Sequence, residues 1–165
     1  MVGAGQGSGI WHTVYANTME YAWTALTGGP FIGHRSGGAA YDGQTLYTAG
    51  GSPGIMWALD KGFGDSRWVR PVLGPNSFNP TTYANGVVYT LTGGGRVPYA
   101  GPAPVLPQLL GFDAATGDVV LSRPFTPDIG AVATGTQASG VTVARNKVYA
   151  PVNAVGGSYL VAYSM

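Results

Sequence analysis

Seven carboxylates and two histidines carry most of the acid–base capacity of this chain, which has no cysteine. Asp60 and Asp113 occupy one position of an internal repeat. Glu20, Asp65 and Asp118 occupy another, and Asp42 sits in a hairpin turn. Repetition thus gives six of the seven acids a structural task and leaves Asp128 outside the pattern. No pair of carboxylates stands out for general acid–base work, so no catalytic residue is assigned. His12 and His34 are not at metal-ligand spacing with each other or with an acid, and no metal site is expected. His12 falls in a strand and is expected to be packed. His34, in Gly33-His34-Arg35-Ser36, falls in a loop open to a ligand. Gly50 to Gly54 spells G-x-S-x-G, but that motif needs a helix after the serine, and here a strand follows. Gly3 to Gly9 is glycine-rich without spelling G-x-G-x-x-G, and no G-K-[ST] occurs, so no phosphate-cradling loop is indicated.

Composition narrows the class. Of 165 residues, 28 are glycine and 12 are proline, yet 45% are hydrophobic and only 9% charged. High hydrophobicity with low charge is the opposite of a disordered chain. It suits many short strands joined by turns. The net charge of +1 and the lack of a basic run argue against nucleic acid as a partner. No apolar run is long enough for a membrane span. The opening MVGAGQGSGIW has neither the basic region nor the apolar core of a signal peptide.

The elements that must position these residues are legible in the stretch Gly38 to Arg70. Gly38 to Tyr41 predicts a first strand, turned by Asp42-Gly43. Gln44 to Ala49 predicts a second, Ile55 to Leu59 a third, and Ser66 to Arg70 a fourth. The rest of the chain repeats this unit. Leu59-Asp60-Lys61-Gly62-Phe63-Gly64-Asp65-Ser66-Arg67-Trp68 aligns with Phe112-Asp113-Ala114-Ala115-Thr116-Gly117-Asp118-Val119-Val120-Leu121. It aligns more loosely with Val14 to Trp23. Each is a hairpin in which aspartate can bond its own turn and glycine can supply a positive φ. Trp23 and Trp68 share one slot and are expected to pack between units. Ala40 to Tyr47 matches Thr82 to Tyr89 and, less closely, Val143 to Tyr149. Tyr47 and Tyr89 lie 42 residues apart, a period typical of propeller blades. The next interval is lengthened by a proline-rich insertion, 95–108.

Four units result, at about 2–27, 38–73, 79–124 and 138–165. The first lacks its first strand and the last stops after its third. The predicted fold is all-β, a β-propeller of about four blades with four antiparallel strands each. A β-sandwich of similar short strands is the competing architecture. In a propeller the short turns share one face. The long connections, Gly28 to Ser36, Gly74 to Phe78, Gly95 to Gln108 and Pro127 to Gln137, share the other, which therefore carries the candidates for ligand contact. His34, Arg35, Arg96 and Asp128 fall there. Arg35 and Arg96 suit a carboxylate-bearing ligand.

At D-G-x-x-Y and at Ala58-Leu59-Asp60 to Trp68 and Phe112-Asp113 to Thr116-Gly117, the chain resembles the quinoprotein propellers. That family comprises the pyrroloquinoline-quinone (PQQ) dehydrogenases and their non-catalytic relatives. Gly3-Ala4-Gly5-Gln6-Gly7-Ser8-Gly9 is similar to the G-x-G-Q-K-S-G segment of its alcohol and polyvinyl-alcohol dehydrogenases. The resemblance implies the C-terminal half of an eight-bladed propeller. It also implies cofactor contacts from Gln6, Gly7 and Ser8, and PQQ with calcium in a complete ring. Gly7 stands where those enzymes carry a cofactor-contacting lysine. The family's cysteine pair, calcium-binding carboxylate and catalytic aspartate lie upstream of this segment. The chain alone is therefore expected to bind no cofactor tightly. A second copy or a complementary front-half chain is the expected partner. The family also implies a periplasmic or secreted setting. Two functions stay open: a portion of an alcohol-oxidising quinoprotein, or a non-catalytic module that binds a protein or small ligand through its long-loop face.

Overall fold

A computed structural model describes residues 1–28, 38–51, 54–72, 79–93, 105–136 and 140–165. The first sheet joins β1 (Val2–Gly5), β2 (Ile10–Val14) and β3 (Tyr21–Leu26) in that order. The second joins β4 (Ala40–Tyr41), β5 (Thr45–Gly50), β6 (Gly54–Asp60) and β7 (Ser66–Val72). The third joins β8 (Thr82–Ala84), β9 (Val87–Thr92), β10 (Gln108–Asp113) and β11 (Val119–Pro124). A short helix α1 (Phe125–Ile129) leads to the fourth sheet, built from β12 (Ala133–Gly135), β13 (Thr142–Ala144), β14 (Lys147–Ala154) and β15 (Gly157–Ser164). All pairings are antiparallel. The register recurs from sheet to sheet: Ala40 faces Tyr47, Thr82 faces Tyr89, and Thr142 faces Tyr149.

These sheets are propeller blades, and the core lies in the joints between them. Trp11, Trp23 and Leu59 fill the joint of the first two blades. Tyr47, Met56, Trp68, Leu110 and Phe112 fill the second joint, and Tyr89, Leu91, Leu109, Phe125 and Val148 the third. Each blade is thus covered by its chain neighbours, which a two-sheet sandwich would not give. The short first strands β4, β8 and β13 adjoin one another at the hub. There the Thr81 hydroxyl accepts from the Ala40 amide and donates to the Tyr47 carbonyl, both at 2.8 Å.

The turn between third and fourth strands is the same object three times. Tyr15, Asp60 and Asp113 each accept, through the backbone carbonyl, the amide of Met19, Gly64 and Gly117. Their own amides donate to Glu20, Asp65 and Asp118. Met19, Gly64 and Gly117 all have positive φ, at 58°, 77° and 75°. Glycine is needed at two of the three because a tryptophan lies on the turn. A Cβ on Gly117 would stand 2.7 Å from the Trp68 ring, and one on Gly64 would overlap Trp23.

Several expectations change. The stretch Pro127 to Gln137, predicted as a long loop, carries the end of α1 and β12. Phe125 is fully buried and anchors the helix, Gly130 caps it at φ 64°, and the Thr126 hydroxyl accepts the Ala133 amide. β12 and β13 share one edge of β14 end to end, while β15 takes the other. The Asp42-Gly43 turn is not a two-residue loop: Tyr41 faces Leu46, and the Asp42 amide closes onto the Thr45 carbonyl. Asn85-Gly86 does form a two-residue turn with both φ values positive, whereas the turn expected at Asn146-Lys147 falls one residue earlier, on Arg145-Asn146, because Lys147 already pairs with Ala144. His12 is exposed rather than packed, because its strand alternation turns Trp11 and Thr13 inward.

Replacing Gly117 with alanine adds a left-handed backbone cost to overlap with the indole. Stability should fall by roughly 2–4 kcal/mol. Met19→Gly, at the equivalent turn where no tryptophan packs among the described residues, should leave stability unchanged or raise it by up to about 1 kcal/mol. Urea unfolding of the two variants beside the parent checks the contrast.

Candidate functional site

On the short-turn face the acids serve the turns. Asp60 accepts from the Gly62 amide at 2.7 Å and the Arg67 guanidinium at 2.6 Å. Asp113 accepts from the Ala115 and Thr116 amides, both at 2.9 Å. Asp42 accepts from the Gln44 and Thr45 amides and from the Tyr47 hydroxyl, at 2.7–2.8 Å. Partial burial alone would raise the Asp42 carboxyl, but these three donors hold it below its usual value. The Arg67 partner lowers Asp60, and the turn amides lower Asp113 against a small desolvation. Such carboxylates stay ionised near neutrality and make poor proton shuttles. Tyr47, driven first by burial and then by its bond to Asp42, is pushed up to about 12. A cleft of about 480 Å³ opens above this group, with Tyr83 stacked on Tyr47 at 5.9 Å.

A larger cleft, about 710 Å³, separates the third and fourth blades, lined by Tyr89, Leu121, Arg123, Tyr163 and Met165 among others. Leu121 holds the slot that Trp68 fills one blade earlier. In the filled joint the Trp68 indole donates to the Ala114 carbonyl at 2.9 Å, and the Tyr47 hydroxyl reaches the same oxygen at 3.2 Å. In the open joint the Tyr89 hydroxyl meets, among the described residues, the Met165 sulfur at 3.4 Å. Asp128, which the sequence places on the ligand face, projects from α1 and accepts the Tyr163 hydroxyl at 2.7 Å. Burial and this carboxylate both raise Tyr163.

Gln6, Gly7 and Ser8 form the exposed connection from β1 to β2. The Gln6 side-chain oxygen accepts from the Ser8 hydroxyl at 3.0 Å and lies 3.0 Å from His12 Nε2, which donates as the protonated nitrogen. A Cβ on Gly7 would meet nothing within 4 Å. Gly7 offers a backbone amide but no cation, and among the described residues no three of His, Cys, Asp or Glu gather to hold a metal ion. The residues present do not by themselves fit a quinone–calcium pair. His34, Arg35 and Arg96 lie outside the described residues. The structure therefore brings Gln6 and Ser8 together with His12, and Asp128 together with Tyr163. The repeat alignment pointed to Leu121 in the tryptophan slot but singled out neither Arg123 nor Tyr163.

No protein-family model and no curated protein matches the chain. Solved structures do. BamB from Moraxella catarrhalis superposes at a TM-score of 0.70 and 17% identity over 99% of this chain and 46% of its own. The quinohemoprotein alcohol dehydrogenase of Comamonas testosteroni gives a TM-score of 0.70 and 14% identity over 99% of this chain and 33% of its own. Sqt1 of Saccharomyces cerevisiae gives 0.68 and 11% over 99% and 40%. The chain spans less than half the length of each. At these identities the likeness establishes the fold: a blade array of the propeller type found in quinoproteins. No helix among the described residues is long and apolar enough to cross a membrane.

The tyrosine and aspartate shifts set the pH window of stability. The lowered carboxyls stabilise the fold above about pH 4 and lose that effect as pH falls. Tyr47 stabilises it below about pH 10, and the effect is lost as pH rises through about 12. Tyr47→Phe should lower the plateau by about 1 kcal/mol and flatten the alkaline limb. Melts from pH 3 to 12 would show otherwise if the limb kept its slope. Gly7→Lys should be tolerated within about 0.5 kcal/mol, since its site is open and exposed. A cooperative melt at the parental temperature is the check.

Proposed function

We propose that this chain acts as the C-terminal propeller portion of a PQQ-dependent, alcohol-dehydrogenase-like quinoprotein and is not catalytic on its own. The observation that carries this is the exposed Gln6-Gly7-Ser8 connection. It resembles the dehydrogenase segment apart from glycine in place of the lysine, and holds its polar groups on one hairpin with open space at Gly7. The likeness over nearly the whole chain to a quinohemoprotein alcohol dehydrogenase supports it. The acids of the short turns are engaged by turn amides and hydroxyls, which leaves them structural. In a complete ring the Gly7 amide and the Ser8 hydroxyl would be the donors offered to the cofactor, and other blades would supply the cation and metal ligands.

A non-catalytic module that binds a partner is the second reading. Gly7, which offers an amide where the dehydrogenase segment carries a lysine, favours it. The neighbouring coding sequence separates the two, since the first reading requires front blades encoded beside this segment, and PQQ titrated with calcium into the purified chain tests whether the cofactor needs them. No saturation at micromolar PQQ is expected. A micromolar or tighter dissociation constant would show that the chain holds a cofactor site of its own.

A further inference from the structure

The joint between the second and third blades, both four-stranded, runs three oxidisable rings through its core. Tyr83 of β8 lies half-buried on the wall of the cleft of about 480 Å³. Its ring stacks on Tyr47, with centroids 5.9 Å apart and planes 9° from parallel. Tyr47 is in turn 5.9 Å from the Trp68 ring. Neighbouring rings can pass an electron between them, so what distinguishes the three is where a proton can go. Removing one electron from a phenol makes it a very strong acid. A tyrosine is therefore oxidised easily only where a base takes the proton as the electron leaves. Tyr47 is 1% exposed, too buried to hand its proton to solvent. Its hydroxyl instead donates to Asp42 Oδ2 at 2.7 Å. The Gln44 and Thr45 amides hold that carboxylate in place through Oδ1 and help keep it ionised. It is a weak base toward an ordinary phenol, but an oxidised phenol is acid enough to protonate it. The Trp68 indole donates to the Ala114 carbonyl at 2.9 Å, and a peptide carbonyl is too weak a base to take the proton. The register shows the set to be particular to this joint: one blade on, Ala84 stands where Asp42 does and Leu121 where Trp68 does. Tyr163 also donates to a carboxylate, that of Asp128, but no ring stacks on it among the described residues.

We propose that Tyr47 is a proton-coupled redox site that traps an oxidising equivalent delivered through Tyr83 by an outer-sphere one-electron oxidant in the cleft. The oxidant gains one electron and Tyr47 loses it. The Tyr47 O–H bond breaks and the proton goes to Asp42 Oδ2, leaving a neutral tyrosyl radical hydrogen-bonded to a carboxylic acid. Return of one electron to the radical, and of the proton to its oxygen, restores the starting pair. A hole formed on Trp68 drains to the same place, because Tyr47 is the one ring of the three whose proton has a carboxylate to receive it. Blades two and three supply every group in the scheme, and it does not rest on the quinoprotein reading.

The test uses the intact chain and ruthenium(III) tris-bipyridine, generated by a laser flash with a sacrificial electron acceptor, as the oxidant. Transient absorption and electron paramagnetic resonance should show a neutral tyrosyl radical that outlives those of the exposed tyrosines. Tyr47→Phe should abolish this long-lived component, and Tyr163→Phe should leave it. Asp42→Asn keeps an oxygen for the turn amides but removes the base. It should slow formation of the radical by about a hundredfold, the effect of losing a positioned proton acceptor. The parent chain should form the radical more slowly in D2O than in water. Urea melts establish that each variant is folded. Should Asp42→Asn fail to fold, the solvent isotope comparison reads the same proton transfer in the parent. Absence of a long-lived radical in the parent would overturn the proposal, as would its survival in Tyr47→Phe. Formation at the parental rate in folded Asp42→Asn, or at equal rates in water and D2O, would overturn it as well.

Discussion

The fold depends on one seam: an indole from the last strand of one blade donating to a turn carbonyl of the next. Trp23 does this to Lys61, and Trp68 to Ala114, both at 2.9 Å. A four-stranded sheet of short strands has two faces to cover and little area of its own. The seam solves both problems. The large ring buries apolar surface between blades, and its single polar atom is satisfied by a carbonyl of the facing turn. Because the ring lies directly on the turn, the turn must have no side chain there. The glycine, the tryptophan and the spacing between them therefore form one constraint rather than three preferences.

That constraint also explains the acids. A turn that must present its carbonyl to an indole has to be held in one conformation, and the carboxylates of Asp60 and Asp113 do this by capping its amides. The depressed pKa of Asp113 is a consequence of that task, while that of Asp60 comes first from its Arg67 partner and then from the turn. Depressed pKa values in clefts often mark functional sites, but ion pairs and turns produce them as well. Here repetition assigns them to the turns. The repeat is broken in two places. The first break is the open hairpin at Gly7. The second is the joint where leucine replaces tryptophan.

At that joint the same backbone gives a different surface. Leu121 cannot fill the volume of an indole or donate a hydrogen bond, and among the described residues the Tyr89 hydroxyl meets a sulfur. The fourth blade itself is assembled differently from the others. Two short strands divide one edge of β14, and a helix anchored by buried Phe125 carries the chain across. The Asp128–Tyr163 bond ties that helix to the outermost strand. Order in this region comes from tertiary contacts, since neither a five-residue helix nor a three-residue strand is stable alone.

The sequence by itself determined the blade. Strand lengths, the Asn85-Gly86 turn and the Asp-to-Trp spacing are local patterns, and local patterns fix hairpins because the side-chain period and the turn chemistry act over a few residues. It likewise determined that Trp23 and Trp68 pack between blades, because two residues in one repeat slot share one environment. Only the tertiary structure decided that His12 is exposed and that residues 125–135 hold a helix and a strand. Nor could repetition show that Asp128 pairs with Tyr163 across 35 residues, or that Arg123 borders an open cleft. Each of these turns on which surfaces meet across a joint. A repeat describes what its copies share, and those surfaces lie where the copies differ.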